Sequence, residues 1–167
     1  KNDSGLTLET LLSLGRTHRD LGNFDKAAES FLQSLYLAQT LHDLNSEINA
    51  MNLLASVYDA QGQMALALKY LKESLALAEQ HQLTEKQLTL LNNIGGMYHA
   101  LGDYPKALET LSKANQLIQI AGANTRNEAV NLMCLGHLYQ DMNDFPTALD
   151  FFIKARDLSK IINDRLI

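Results

Sequence analysis

N-I-G-G-M-Y-H-A-L-G-D-Y-P-K-A-L, residues 93–108, decides the reading of this 167-residue chain because it occurs four times in degraded form. Gly95, Tyr98, Gly102, Tyr104 and Ala107 recur forty residues earlier as Ala55, Tyr58, Gly62, Met64 and Ala67. Another forty back they are Gly15, His18, Gly22, Phe24 and Ala27, and forty-one forward they are Gly136, Tyr139, Asn143, Phe145 and Ala148. Copies of this length are too small to bury an apolar face alone, so the period marks a stacked array.

Outward from that stretch the apolar spacing is helical throughout. Leucines at 8, 11, 12 and 14 set the first helix, and Leu21 closes it before Gly22-Asn23. Phe24 opens a second helix carrying Ala27, Ala28, Phe31, Leu32, Leu35 and Ala38. Residues 42–45 form a short turn, and the unit repeats with helices near 46–61 and 65–80, 85–101 and 105–121, 126–142 and 146–161. Lys1 to Gly5 reads as a lead-in, with Ser4 or Thr7 as a cap. The predicted fold is all-α, a single domain of four antiparallel helix pairs with repeats at 6–45, 46–85, 86–125 and 126–164. Arg165-Leu166-Ile167 stands where a fifth copy would start.

Turn chemistry agrees with this phase. Gly22, Gly62 and Gly102 follow the first helix of each pair, where a left-handed residue ends a helix, and Asn143 is the next-best residue there. Pro105 and Pro146 fall in the first turn of a helix, behind the capping candidates Asp103 and Asp144. Gly15, Gly95 and Gly136 instead sit inside helices, at a cost of about 1 kcal/mol each against Ala. With Ala55 as the fourth, they imply close helix contact, and Ala27, Ala67, Ala107 and Ala148 are the expected opposing surface. Tyr58, Tyr98 and Tyr139, three residues further on, are expected to fill the space between units, with His18 as a packing residue in the same phase.

Composition bounds the function. An apolar share of 46%, two prolines and nine glycines describe an ordinary globular chain. No run is apolar enough to span a bilayer, which argues against a membrane role. A net charge of −5 argues against nucleic acid as the main partner. The single cysteine, Cys134, excludes an intrachain disulfide and fits a cytoplasmic chain. Lys1 in place of Met, and the absence of a polar final helix, point to a piece of a larger protein or to an end covered by a partner copy.

The repeated residues resemble the tetratricopeptide repeat pattern W-x2-L-G-x2-Y, A-x3-F, A. Leu11-x2-Leu14-Gly15-x2-His18 with Ala27 and Phe31 fits it, as does Leu91-x2-Ile94-Gly95-x2-Tyr98 with Ala107, Leu111 and Ala114. Leu132-x2-Leu135-Gly136-x2-Tyr139 with Ala148, Phe152 and Ala155 fits equally, and Met51-x2-Leu54-Ala55-x2-Tyr58 with Ala67 and Leu71 fits least. The spacing exceeds the family's usual ~34 residues. It is similar to the longer repeats of kinesin light chains, Pins-type adaptors and bacterial regulator arrays. The resemblance implies a right-handed superhelix that binds peptides or proteins on a concave face lined by the first helix of each pair.

Carried over residue by residue, that face comprises Glu9, Leu12, Arg16, Arg19 and Asp20 from the first copy. The second gives Asn49, Asn52, Ser56, Asp59 and Ala60, and the third Thr89, Asn92, Gly96, His99 and Ala100. The fourth gives Val130, Met133, His137, Gln140 and Asp141. Asn52 and Asn92 share one phase; they either form a carboxamide ladder for a peptide backbone or are merely tolerated on a wet face. Arg16 and Arg19 could clamp a ligand carboxylate, with Glu9 and Asp20 near enough to neutralise them. Copies two to four have no Lys or Arg at the comparable positions, so the adaptors' set for gripping a C-terminal carboxylate is not reproduced.

No catalytic constellation emerges. Cys134 reads as a small core residue, and the five histidines, at 18, 42, 81, 99 and 137, offer no third ligand for zinc even if His99 and His137 approach each other. No cofactor or metal is expected, and no enzymatic activity. The leading reading is a binding scaffold, the sensory or regulatory part of a signalling protein, whose partner is a peptide, a protein or an output domain of the same parent chain. A second reading is a homo-oligomer assembled through the last repeat, motivated by Leu166 and Ile167. A third is an accessory domain of an enzyme.

Overall fold

The structure, a computed structural model, describes residues 2–121 and 125–164. Arg165, Leu166 and Ile167, and with them the expected start of a fifth repeat, lie outside the described residues, as does Lys1. The described residues form eight helices: α1 (Asn2–Asp20), α2 (Phe24–Leu41), α3 (Leu44–Ala60), α4 (Met64–Gln80), α5 (Thr84–Ala100), α6 (Tyr104–Ala121), α7 (Thr125–Asp141) and α8 (Phe145–Asp164). No helix among them is long and apolar enough to cross a membrane. The first boundary differs from expectation. Helix α1 already runs from Asn2, so Ser4 and Thr7 lie within it. Asn, Asp and Ser suit the opening turn of a helix, and nothing in this lead-in breaks one.

The helices pack as pairs, α1 on α2, α3 on α4, α5 on α6 and α7 on α8. The chain divides into two compact units, residues 1–81 and 82–167. In the first, α3 lies against both α1 and α2; in the second, α7 lies against both α5 and α6. The core of the first unit joins Leu12, Ala27, Ala28 and Phe31 to Ala50, Leu53, Leu54 and Val57. In the second unit Ala107 and Leu111 meet Leu135 and Leu138.

Each turn inside a pair is closed the same way. Gly102 takes φ +74°, and Asp103 N–H donates to the Tyr98 carbonyl at 2.9 Å, the long bond of a Schellman motif. Gly22 and Gly62 repeat it, and Asn143 does so at φ 62°. Asp103 and Asp144 cap the helices that follow, accepting from Lys106 N–H at 3.3 Å and Thr147 N–H at 3.2 Å. Hydrogen bonding to Lys106 also holds the Asp103 carboxyl below its ordinary range. Between pairs, His42 and Gln82 take the left-handed conformation, both at φ 54°. His42 therefore corresponds to Gln82, not to His81, because the repeat step is forty.

Close contact within pairs centres on the helix-interior glycines. A methyl group on Gly95 would sit 2.6 Å from two carbons of Leu111, and one on Gly136 would sit 2.6 Å from the Phe152 ring. One on Gly15 would press into the Phe31 ring. Ala27, Ala67, Ala107 and Ala148 are buried as well, but the side chain meeting each glycine comes one turn later than expected. Helical side chains lean back toward the N-terminus, so a spot on the helix surface is covered by a residue beyond it in sequence. The tyrosines pack against the cores that join pairs and also reach their own pair's second helix. Tyr58 stacks on Tyr70 at 5.6 Å, Tyr139 stacks on Phe151 at 5.5 Å, and Lys106 lies over Tyr98. Each ring sits one turn past the contact point. His18, in the same phase, is half-buried.

Gly95 and Gly96 are neighbours that should respond oppositely to Ala. Gly96 has open space where a methyl would go, so Gly96→Ala should gain up to about 1 kcal/mol of helix propensity. Gly95→Ala should lose about 1–2 kcal/mol net, because overpacking against buried Leu111 outweighs the same gain. Urea unfolding followed by circular dichroism measures both; stabilisation by Gly95→Ala would refute the close-contact account.

Candidate ligand-binding faces

In the first unit, α3 is buried on almost every side, by Ile48, Ala50, Met51, Leu53, Leu54, Ala55 and Val57. What remains is a polar stripe along one face, with half-buried Asn49 and Asn52 and exposed Ser56 and Asp59. These positions follow i, i+3, i+7 and i+10, one line on a helix. On α1 the corresponding stripe has exposed Glu9, Arg16 and Asp20. Leu12, assigned to the same face, is 8% exposed and joins the core under α3. The Arg19 guanidinium donates to Asp20 Oδ1 from Nε at 3.2 Å and from Nη2 at 3.0 Å. Arg19 is thereby already paired with a carboxylate of its own helix.

The second unit spends much of its expected face on internal bonding. Asn92 is 3% exposed. Its Nδ2 donates to the Asn127 carbonyl at 3.1 Å, and its Oδ1 accepts from Asn131 Nδ2 at 2.9 Å. Asn131 is fully buried and also donates to the Leu111 carbonyl at 3.0 Å, which ties α7 to both α5 and α6. Asn127 Nδ2 donates to Glu85 Oε2 at 3.1 Å, and the Thr89 hydroxyl lies 3.3 Å from Asn127 Oδ1. At the other end His99 Nε2 meets Asp141 Oδ2 at 2.8 Å. These contacts make a polar seam along α5 and α7. Asn92 is therefore not available as a rung for a ligand backbone. Sequence phase places a residue on a face but does not give the distance to the next helix, and here the neighbouring helix is near enough to use it.

Val130, Met133, His137 and Gln140 are left exposed on α7, and Gly96 is half-exposed on α5. His99 and His137 do not meet; His137 stands edge-on to Phe152 at 5.0 Å. Among the described residues no group of three His, Cys, Asp or Glu could hold a metal ion. Cys134 packs against the Ala107–Leu111–Leu135–Leu138 core, and burial pushes its thiol above the ordinary value, so thiolate is scarce at neutral pH. A shallow cavity of about 370 Å³ near the end of pair α1–α2 is lined by Gln39, His42, Leu44, Glu47, Leu77 and His81. Its Gln39 Nε2 already donates to Glu47 Oε1 at 3.0 Å. Sequence reading missed Asn127 and Asn131. The usable signal was Asn131 itself, a carboxamide in the phase occupied by Ala50 and Leu90.

The seam predicts a structural cost. Asn92→Ala removes the bond to the Asn127 carbonyl and leaves a buried Asn131 side-chain N–H without its acceptor, so it should lose about 1–3 kcal/mol. Asn131→Ala should cost a similar amount, and the double substitution less than the sum, with coupling of at least ~0.5 kcal/mol. A urea-unfolding cycle reads this; strict additivity would show that the two carboxamides act independently.

Comparison with known proteins follows the same boundaries. The family model described as tetratricopeptide repeat matches residues 6–80 and again 86–161. None of the curated proteins compared with the chain matches it in sequence. Among solved structures, that of MamA is similar at 24% identity and TM-score 0.65, over 94% of this chain and 81% of its own. A kinesin light chain from Podosopora anserina with nearly identical TPR-like repeats is similar at 20% identity and TM-score 0.75, over 94% of this chain and 76% of that one. The apo form of RapI gives TM-score 0.81 at 16% identity, with 95% of this chain covering 57% of RapI. With two family matches falling on helix pairs that repeat one glycine contact and one turn, the chain belongs to the tetratricopeptide repeat family, whose solenoid fold is a scaffold for protein–protein interaction.

Proposed function

We propose that the chain is a non-enzymatic scaffold that binds an extended peptide or protein segment along the exposed faces of its first helices. The observation that supports this reading most is the α3 stripe. A helix buried on its other sides keeps four polar side chains in line, Asn49, Asn52, Ser56 and Asp59, of which Ser56 and Asp59 are exposed. Groups spaced along such a line match the backbone and alternate side chains of an extended segment. In the second unit the contribution narrows to Gly96 with Val130, His137 and Gln140, since Asn92, Thr89 and His99 serve the seam. With Arg19 and Asp20 paired to each other, the acidic Glu9 and Asp59 outnumber the basic Arg16, so a ligand with a basic side chain fits the first unit best.

The chain spans 57% of RapI and 49% of the aspartyl phosphate phosphatase F structure from Bacillus subtilis. That an aspartyl phosphate phosphatase is among the similar structures fits the reading of a sensory or regulatory part of a signalling protein, where the bound segment belongs to a partner or to an attached output domain.

Peptides selected from a displayed random library against the chain should lose affinity about tenfold or more, equal to roughly 1.4 kcal/mol, with Ser56→Ala/Asp59→Ala. Fluorescence anisotropy gives the affinities, and circular dichroism checks that the double variant keeps its helicity. Equal affinity for wild type and variant would remove α3 from the site. A library that yields no binder would count against the scaffold reading as a whole.

A further inference from the structure

Along the outward line of the first helices, one position lacks a side chain. Arg16, Ser56 and His137 share a phase and are exposed, and Gly96 takes that place on α5. A glycine inside a helix lowers stability relative to alanine, because it loses more backbone freedom on folding. At Gly15, Gly95 and Gly136 a second-helix side chain is seated against the bare backbone. At Gly96 a methyl group would meet no atom within 4 Å, and the backbone is ordinary helix. Packing therefore gives no reason for the missing side chain.

The position lies at a break in the α5–α7 seam. One turn before it, Asn92 is buried and bonded to the Asn127 carbonyl and to Asn131 Nδ2. Three residues after it, His99 Nε2 meets Asp141 Oδ2 at 2.8 Å. Between these contacts Gly96 stays half-exposed. On α7 the line from Asn131 to Asp141 passes through Cys134 and Leu138, at the i, i+3, i+7, i+10 spacing of one helix face. Leu138 is fully buried, whereas Cys134 is half-buried at the edge of the core. At this level the seam has bare backbone on α5 and a thiol on α7. Burial raises that thiol's pKa, so it is uncharged at neutral pH and behaves as a small apolar group.

We propose that this break is a recess for one compact aliphatic side chain of the segment bound along the first helices, seated on the Gly96 backbone beside Cys134. The inference rests on the binding reading above and names what the second unit selects. The floor offers no hydrogen bond, because the Gly96 N–H and carbonyl are used within α5. Asn92 and the His99–Asp141 pair, which bracket the recess, are bonded within the protein, so a polar ligand group would have to displace them. An aliphatic group meets neither obstacle. A side chain at position 96 would fill the recess, so glycine there exchanges helix stability for room at the binding face.

Peptides from the displayed library, measured by fluorescence anisotropy, test the recess. Gly96→Ala should weaken binding about fivefold or more while raising the urea midpoint, and Gly96→Leu should weaken it at least about fiftyfold. The first variant separates recognition from folding, because it gains stability as it loses affinity, and it carries the test if Gly96→Leu loses helicity. An alanine scan of the tightest peptide should find one aliphatic position whose truncation costs about tenfold against wild type and nothing against Gly96→Leu. Unchanged affinity for both variants would overturn the proposal, as would a scan in which only charged or polar positions respond to Gly96→Leu. Peptides that lose affinity with Ser56→Ala/Asp59→Ala and ignore Gly96→Leu would overturn the recess and leave the α3 site standing. A library that yields no binder removes both.

Discussion

The structure depends on how closely the first helix of a pair can approach the second. At Gly15, Gly95 and Gly136 the backbone itself receives a large side chain, Phe31, Leu111 or Phe152. A methyl group at any of these sites would occupy space the ring or branched carbon already fills. The approach sets the separation of the two helices at the contact point. One turn on, Tyr58 and Tyr139 stack on Tyr70 and Phe151 of the second helix. A glycine inside a helix costs about 1 kcal/mol, and the chain accepts that cost three times because one contact fixes the geometry of the pair.

The two units solve the next step differently. Where α3 meets α1, the contact is apolar, Leu12 against Ala50 and the adjoining leucines. Where α7 meets α5, Asn92 and Asn131 form a buried hydrogen bond flanked by the Asn127 and His99–Asp141 contacts. An apolar contact tolerates sliding, whereas a carboxamide pair is satisfied in one register only and is costly in any other. The second unit thus specifies its alignment more tightly. It also carries a burden, since Asn131 Oδ1 is buried without a hydrogen-bond partner among the described residues.

The sequence made the helix pairs legible because three kinds of signal coincide at one period: small residues within helices, left-handed residues at their ends, and caps after those ends. Gly102, Asp103 and Pro105 alone place a turn to within a residue. The left-handed His42 and Gln82 were not legible, because neither is the Gly or Asn that marks this conformation elsewhere in the chain. The candidate face was legible as a phase, not as a surface. Glu9, Arg16, Ser56, Asp59, His137 and Gln140 are exposed where the phase puts them, while Leu12 and Asn92 in the same phase are buried. Period tells which way a residue points along its own helix. Whether solvent or a neighbouring helix waits there depends on interhelical distance, and that is set by the glycine contacts on another face.

This coupling bears on how such an array can acquire a ligand. A first helix must satisfy its own partner and the helices of the adjoining pair, so only one narrow line of residues is free of packing demands. On α3 that line is polar throughout, and its Ser56 and Asp59 are exposed. On α5 the line has been drawn into the seam with α7, and a change at Asn92 or Thr89 alters stacking before it alters recognition. Recognition through exposed Ser56 and Asp59 can therefore change with less effect on stacking than recognition by α5, which is tied to the integrity of its own stack. Differences in ligand preference between arrays of this kind should concentrate on first helices whose outward line carries no interhelical hydrogen bond.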